Sequence, residues 1–449
     1  MRKLRLLAIW TAILVQHSAN WRIVESLRRQ PEGKKTEQRL LVNMTLLPRA
    51  SSMAAVCLDG SPPAYHLHRG KGTGVSNWLL QFEGGGWCNN VLSCLQRSRT
   101  RRGSTRYMNR LEVFSGILSD DPINNPDFYN WNRVKLRYCD GASFAGDSNY
   151  SDGAFVLHFR GKRIWEAIIN DLLPKGLINA QKVSLRILIL FKEFFLLPSF
   201  ETPKADHVQL DSLSQMLPDS TIVKCMSDAG FFLDVNDITG NDTIRTFFNS
   251  VVKLQGVENN LNKACLASHY FPSQCFFPQY NLPFIRNPFF ILNSAYDTYQ
   301  IGHIFVPPSA DPTGHWSRCK SDLASCSPSQ ISILQGFRNE MLTALTTFES
   351  SRNEGMFINS CFAHCQSELQ DSWYAENSPR IHNKTIAEAV GDWYFEREIT
   401  KEVDCPYPCD HSCEMPPISS GKARRYPTLD GNGGFFFVLF IFPFLWHIL

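Results

Sequence analysis

Trp78-Leu-Leu-Gln-Phe-Glu-Gly-Gly-Gly-Trp-Cys88 is an apolar run that stops at three consecutive glycines. Residues 78–83 read as a buried strand, and Gly84-Gly85-Gly86 as the bend that ends it. A glycine run just past a strand can turn several backbone N–H groups toward one point. Acyl transfer needs such donors where a carbonyl oxygen becomes negative, and loss of one donor typically costs ~10²–10³ in rate. The same glycines serve equally well as a tight turn that requires positive φ.

Working outward, apolar runs alternate with helical patterns. Residues 133–139 alternate with period two, and Asp140-Gly141 closes them. Apolar side chains at 164, 165, 168, 169, 172 and 173 mark one face of a helix, stopped by Pro174 and Gly176. Residues 222–226, 288–293 and 356–359 are further strand candidates. Strands spaced by helices predict an α/β fold with a mostly parallel central sheet flanked by helices. Ligand sites in such folds gather at the carboxyl ends of the strands.

The chain has 449 residues, with 45 Lys and Arg against 42 Asp and Glu, a formal +3. That balance excludes a nucleic-acid protein recognised by charge alone. Charged residues are 19% and aromatic residues 12%, which excludes wholesale disorder. Fourteen cysteines fall well below the ~8–10% of a small disulfide scaffold.

Basic residues followed by the apolar run Leu6 to Val15 give residues 1–22 the pattern of a secretory signal peptide, with a cleavage zone near Ser18-Ala19. A non-cleaved anchor is the alternative. Sequons stand at Asn43, Asn149, Asn241 and Asn383. With an even cysteine count they agree on an oxidising setting and a disulfide-bonded, secreted chain. Cys88 with Cys94 and Cys319 with Cys326 are the pairs suggested by proximity. Zinc is the alternative for Cys361-x3-Cys365 with His364, and for Cys405-x3-Cys409-x3-Cys413. Residues 42–413 read as one globular domain, and 414–449 as a linker followed by an apolar tail. Ser419-Ser420-Gly421, a polar spacer and Phe435–Leu449 fit a lipid-anchor signal. Membrane contact is expected only if the tail is such a signal.

Two further stretches carry candidate chemistry. Asn293-Ser-Ala-Tyr-Asp297 places an acid straight after an apolar strand, although Asp caps turns and helices more often than it does chemistry. Asn359-Ser-Cys-Phe-Ala-His364-Cys365 places a histidine between cysteines that could hold a general base still. A glycine turn, then Asp297, then His364, each after a strand, follows the nucleophile–acid–base chain order of α/β-hydrolases. The nucleophile then belongs between the 161–177 helix and Asp297.

Several stretches resemble the plant pectin acetylesterase family, whose animal relative is the Wnt deacylase Notum. They include Ala55–His66, Phe82–Asn90, Asn125–Arg133, Arg137–Phe144, Leu157–Gly161, Lys224–Asp234, Cys275–Tyr280, Gly355–Gln366 and Asp404–Asp410. The resemblance implies an α/β-hydrolase-like serine esterase, secreted to the cell wall, that removes acetyl groups from pectin. By motif, Asp297 is the triad acid and His364 the base. Gly85, Gly86 and Trp87 form the oxyanion backbone. Acetylated pectin is the implied partner, and no cofactor or metal is implied. Arg160, Lys162 and Arg163 read either as an approach surface for polyanionic pectin or as a solvated helix start.

The family carries its nucleophile in a Gly-Cys-Ser-Ala-Gly-Gly elbow shortly after the 161–177 helix. Here Lys182 to His207 contains no glycine. Ser184 and Ser199 lack the setting of a strained strand-to-helix turn, so the nucleophile is unknown. Two family cysteines are also missing there. The count stays even, as it would if those two pair with each other. Leu185–Phe191 is expected to supply the central strand. Three explanations compete: a faulty translation of a spliced gene, a catalytically silent pectin-binding relative, or a substitute nucleophile.

Overall fold

The computed structural model describes residues 39–187, 213, 216–409 and 412–413. Two compact units are distinguished, Met1–Leu41 and Val42–Leu449, and the account below concerns the second. The signal-peptide reading, the linker and tail, Ser199 and the continuation of the apolar run past Ile187 lie outside the described residues.

The strands in chain order are β1 Leu40–Leu46, β2 Ala64–His68, β3 Asn77–Phe82, β4 Leu111–Phe114, β5 Asn132–Leu136, β6 Ser148–Ser151, β7 Val156–Phe159, β8 Lys182–Ile187, β9 Ile222–Asp228, β10 Phe289–Ser294, β11 Gly355–Asn359, β12 Arg380–Ile381, β13 Lys384–Thr385 and β14 Lys401–Val403. Ten of them form one sheet in the order β14-β11-β10-β9-β8-β3-β5-β2-β1-β4. The pairs from β14 through to β5 are parallel. β2 turns antiparallel against both β5 and β1. Every described residue of β5, β10 and β11 is buried. A sheet whose consecutive residues are all buried is covered on both faces.

Helices supply the cover. Gly161–Leu172 buries Ile164, Trp165, Ile168 and Leu172, the stripe expected from the sequence. Thr243–Gln255, Pro328–Ala344 and Ile386–Tyr394 add three more long helices. A mostly parallel sheet flanked by helices, with β1 and β2 as the antiparallel margin, is the α/β-hydrolase architecture.

Three readings of the sequence are sharpened by the structure. The central strand is β8, which begins at Lys182, three residues before the expected Leu185, and residues 188–191 of the expected strand lie outside the described residues. The alternating stretch 133–139 supplies most of β5, and Arg133 and Lys135 within it and Arg137 just past it are all buried. Six disulfides form among the fourteen cysteines, and Cys225 and Cys365 stand outside them. An even count with the two absent cysteines paired to each other would have left seven. Cys88–Cys94 and Cys319–Cys326 are among the six. Cys361 pairs with Cys413, and Cys405 with Cys409, so four of the five cysteines of the zinc alternative, all but Cys365, are taken up in covalent bonds.

Candidate active site

Three loops leave the carboxyl ends of β3, β10 and β11 and meet. Asp297 lies three residues past β10, and its carboxylate serves both readings of the sequence at once. Oδ1 accepts from Gln300 N at 2.9 Å, capping the short helix Thr298–Gln300, and Oδ2 accepts from His364 Nδ1 at 2.7 Å. The Asp297 side chain is fully buried, and the His364 side chain is 17% exposed. Burial by itself pushes the His364 imidazole down. The Asp297 carboxylate and the Cys365 sulfur outweigh it and hold His364 well above its usual value.

The two loops are stitched together by backbone. Thr298 N donates to Ala363 O, Ala295 N to Asn359 O, and Ser294 Oγ to Cys361 O. Cys361 is pinned by Cys413, but Cys365 is held by no disulfide, so only one of the flanking cysteines fixes this loop covalently. Polar anchors do the rest. Gln366 N and Ser367 N both donate to the buried Asp228 carboxylate, at 3.0 and 2.8 Å. Glu368 accepts from Gln81 Nε2 on β3 and from Arg186 Nη1 on β8. Gln81, Lys135 and Arg186 sit in register across β3, β5 and β8. The buried polar row across the sheet thus ends under the loop that carries His364.

The glycine loop is held by its carbonyls. Gly84 O accepts from Arg102, Gly85 O from Arg97 Nη1 at 2.8 Å, Gly86 O from Tyr138 Oη at 2.6 Å, and Trp87 O from Arg97 Nη2 at 2.9 Å. In a trans peptide the C=O of one residue and the N–H of the next point in opposite directions. Fixing Gly85 O therefore aims the N–H of Gly86, and fixing Gly86 O aims that of Trp87. Gly86 has φ 63°, and a Cβ there would lie 2.6 Å from Tyr299 Oη. Tyr299 in turn stacks on His364, with ring centroids 5.3 Å apart and planes 21° from parallel. The rings of Trp87 and Phe232 lie 5.0 Å apart, and those of Phe232 and Tyr299 5.9 Å. One aromatic chain thus runs from the glycine loop to the imidazole.

Beneath the loop, Glu83 meets Arg102 and Arg137, each at 3.0 Å, and accepts from Tyr138 N. Burial would raise Glu83, yet Arg137 and Arg102 bring it down to about 2. Sequence reasoning missed Arg97, Tyr138, Tyr299 and Glu368. Only Tyr138 lay in a stretch already singled out, and side-chain spacing gave no signal for the others. Arg160 and Arg163 both pair with Asp147, and Lys162 lies 3.8 Å from Glu166. They are tied within the chain rather than solvated at a bare helix start.

The model for the pectinacetylesterase family matches residues 35–186 and 204–414. The chain is a member of that family. It is 47% identical over 375 residues to pectin acetylesterase 5 of Arabidopsis thaliana, covering 83% of this chain and 85% of that one. It is 42% identical over 380 residues to pectin acetylesterase 7 of the same plant, covering 84% and 94%. Palmitoleoyl-protein carboxylesterase NOTUM of Mus musculus is 27% identical over 386 residues, 81% of this chain and 69% of that one. Membership places this pectinacetylesterase-family chain among the carboxylic ester hydrolases. The match breaks at residues 187–203, inside the glycine-free segment.

Proposed function

We propose that the chain is a secreted hydrolase that removes acetyl esters from cell-wall pectin, homogalacturonan above all. The observation that carries this reading is the 2.7 Å contact of Asp297 with His364 beside the carbonyl-clamped glycine loop. In the proposed roles, Asp297 fixes the imidazole tautomer, and His364 takes the nucleophile's proton and later returns it to the leaving sugar oxygen. The N–H groups of Gly86 and Trp87 receive the oxyanion, and Gly85, where a Cβ would lie 2.3 Å from the Tyr138 ring, lets the loop pass close to that ring. Water then releases acetate. Secretion is supported by the six disulfides and by the exposure of all four sequon asparagines, Asn43, Asn149, Asn241 and Asn383. The test is acetate release from acetylated pectin. Release well above that of a His364→Ala variant is expected, and equal rates refute the reading.

A second reading has its own support. The family match is interrupted where the serine elbow belongs, and loss of a triad nucleophile can cost about 10⁶ in kcat. A catalytically silent pectin-binding protein would hold acetylated pectin without releasing acetate. Co-sedimentation with plain and acetylated pectin decides it, and absence of binding to either rules it out.

A further inference from the structure

Residues 84–111 run from the glycine bend to the start of β4, and they hold six arginines with no lysine, aspartate or glutamate. With 45 basic and 42 acidic residues in all, the rest of the chain carries a formal −3. The positive excess of the molecule therefore lies on the segment that leaves the glycine loop.

That segment divides its arginines between two tasks. Arg97 and Arg102 turn inward. Arg97 donates to Gly85 O and Trp87 O, and Arg102 donates to Gly84 O and pairs with Glu83 at 3.0 Å. Arg99 and Arg101 stand between these two in the chain. Both are exposed, and neither side chain has a hydrogen bond or an ion pair among the described residues. The Arg106 side chain is 71% exposed and lies 3.6 Å from Asp59, a carboxylate that already accepts from Ser61 and Ser104. An exposed pair of that kind is worth little and leaves the guanidinium available. Arg160, Lys162 and Arg163 offer no such charge, since acids of the chain already face them.

The backbone under the outward arginines is fixed. The helix Val91–Arg97 is capped by Asn90 and tied down by Cys88–Cys94. Beyond it, Arg99 N donates to Gln96 O, Thr100 N to Arg97 O and Gly103 N to Thr100 O. Gly103 packs against the helix end, where a Cβ would lie 2.4 Å from Arg97 O, and its own carbonyl accepts from Asp59 N. Arg99 is two residues from Arg97, and Arg101 is next to Arg102. Each outward arginine thus roots within ~7 Å of one whose guanidinium grips the glycine loop. Cations seated on a fixed turn lose less freedom on binding than cations on a loose tail.

We propose that Arg99, Arg101 and Arg106 form a subsite for the free carboxylates of a polyuronate chain, so that the protein selects homogalacturonan whose carboxyl groups are not methyl-esterified. This rests on the pectin reading of the site given above. Each uronate ring presents one carboxylate, and a guanidinium matches that group with two parallel N–H donors. A ring that brings its acetyl ester to the glycine loop places the neighbouring rings of its chain along the adjoining turn. Methyl esterification removes the negative charge and with it the attraction. The six disulfides favour such an extracellular polysaccharide over a nucleic acid as the polyanion.

The experiment measures equilibrium binding of the full chain, disulfides intact, to polygalacturonate and to its fully methyl-esterified counterpart, at low and at high salt. The parent should bind the free acid at least about tenfold more tightly, and high salt should erase the difference. The triple variant Arg99→Gln, Arg101→Gln, Arg106→Gln should lose this preference while keeping the parent's thermal midpoint. A control variant, Arg286→Gln, Arg318→Gln, Arg352→Gln, removes three exposed arginines elsewhere and should keep the preference. If the control loses it too, net charge is the cause and the subsite is overturned. Equal binding of both polymers by the parent overturns it as well, and so does binding of duplex DNA as tight as that of polygalacturonate. Binding is read without turnover, so a chain that releases no acetate still tests the subsite. Acetate release from pectin without a preference for free carboxylates removes the subsite and leaves the esterase reading standing. A parent that binds neither polymer and releases no acetate refutes the subsite together with the pectin reading.

Discussion

Asp297 spends one oxygen on a helix cap and the other on an imidazole, so its two sequence readings did not exclude each other. Asp297→Asn should keep the cap, because an amide oxygen still accepts from Gln300 N, but it removes the charge facing His364. His364 is held high by that charge against a burial effect of opposite sign. Its titration, followed by NMR of the ring protons, should therefore move to lower pH in the variant. An unmoved midpoint would mean that Asp297 does not control the base. Gly86 makes a second case. With φ 63° and Tyr299 Oη 2.6 Å from where a Cβ would stand, Gly86→Ala must displace either the loop or the ring stacked on His364. A loss of about 10²-fold or more in ester hydrolysis is expected, with KM little changed. A variant of undiminished kcat would detach the loop from catalysis. The glycines and the acid–base pair were legible because their residue types restrict the backbone or titrate. Tyr299 and Arg97 were not, because each acts through a contact that sequence spacing does not encode.

At the scale of elements, strands were easiest to read where punctuation follows them. β3 ends at three glycines and β5 is followed by Asp140-Gly141, and both were placed within a residue or three. β8 was read from its apolar residues, so its start at Lys182 was missed by three positions, because a charged first residue gives periodicity nothing to start on. The period-two pattern of β5 was real, but its polar face meets Glu83 and Glu112 rather than water. Alternation reports two different faces and does not say that one is wet. The turn after β5 carries a testable consequence. Asp140 accepts from Ala142 N and Phe144 N, and burial nevertheless raises its carboxyl to about 7. An unfolded Asp releases its proton near ~4. Between those values the folded state holds a proton that the unfolded state has lost, so stability must fall as pH rises from about 4 to about 7 and level off above. Thermal midpoints measured at pH 5 and pH 8 should differ more for the parent than for Asp140→Asn. Equal differences would show that Asp140 is not the titrating group.

Across the whole molecule, the site depends on loops from distant parts of the chain staying in register. Two devices hold them: the buried polar row under Glu368, and covalent links. The disulfides differ greatly in the length of chain they close. Cys57–Cys139 spans 82 residues and ties the segment before β2 to the turn after β5, whereas Cys405–Cys409 spans 4. If cross-links act by restricting the unfolded chain, the long loop is worth about 4.5 kcal/mol and the short one about 2 kcal/mol. Burial widens the gap, because Cys57 and Cys139 are wholly enclosed while Cys405 and Cys409 are exposed. Replacing both members of the long pair by alanine should therefore lower the denaturation midpoint markedly more than replacing both members of the short pair. Cys57 and Cys139 lie outside the catalytic contacts, so any enzymatic loss in the first variant should follow its unfolded fraction and vanish at low temperature. Equal destabilisation by the two pairs would mean that native-state contacts, not loop length, set the worth of these bonds. Activity lost from a fully folded variant would mean that the covalent frame also aims the glycine loop, since the turn fixed by Cys139 adjoins Tyr138, which holds Gly86 O.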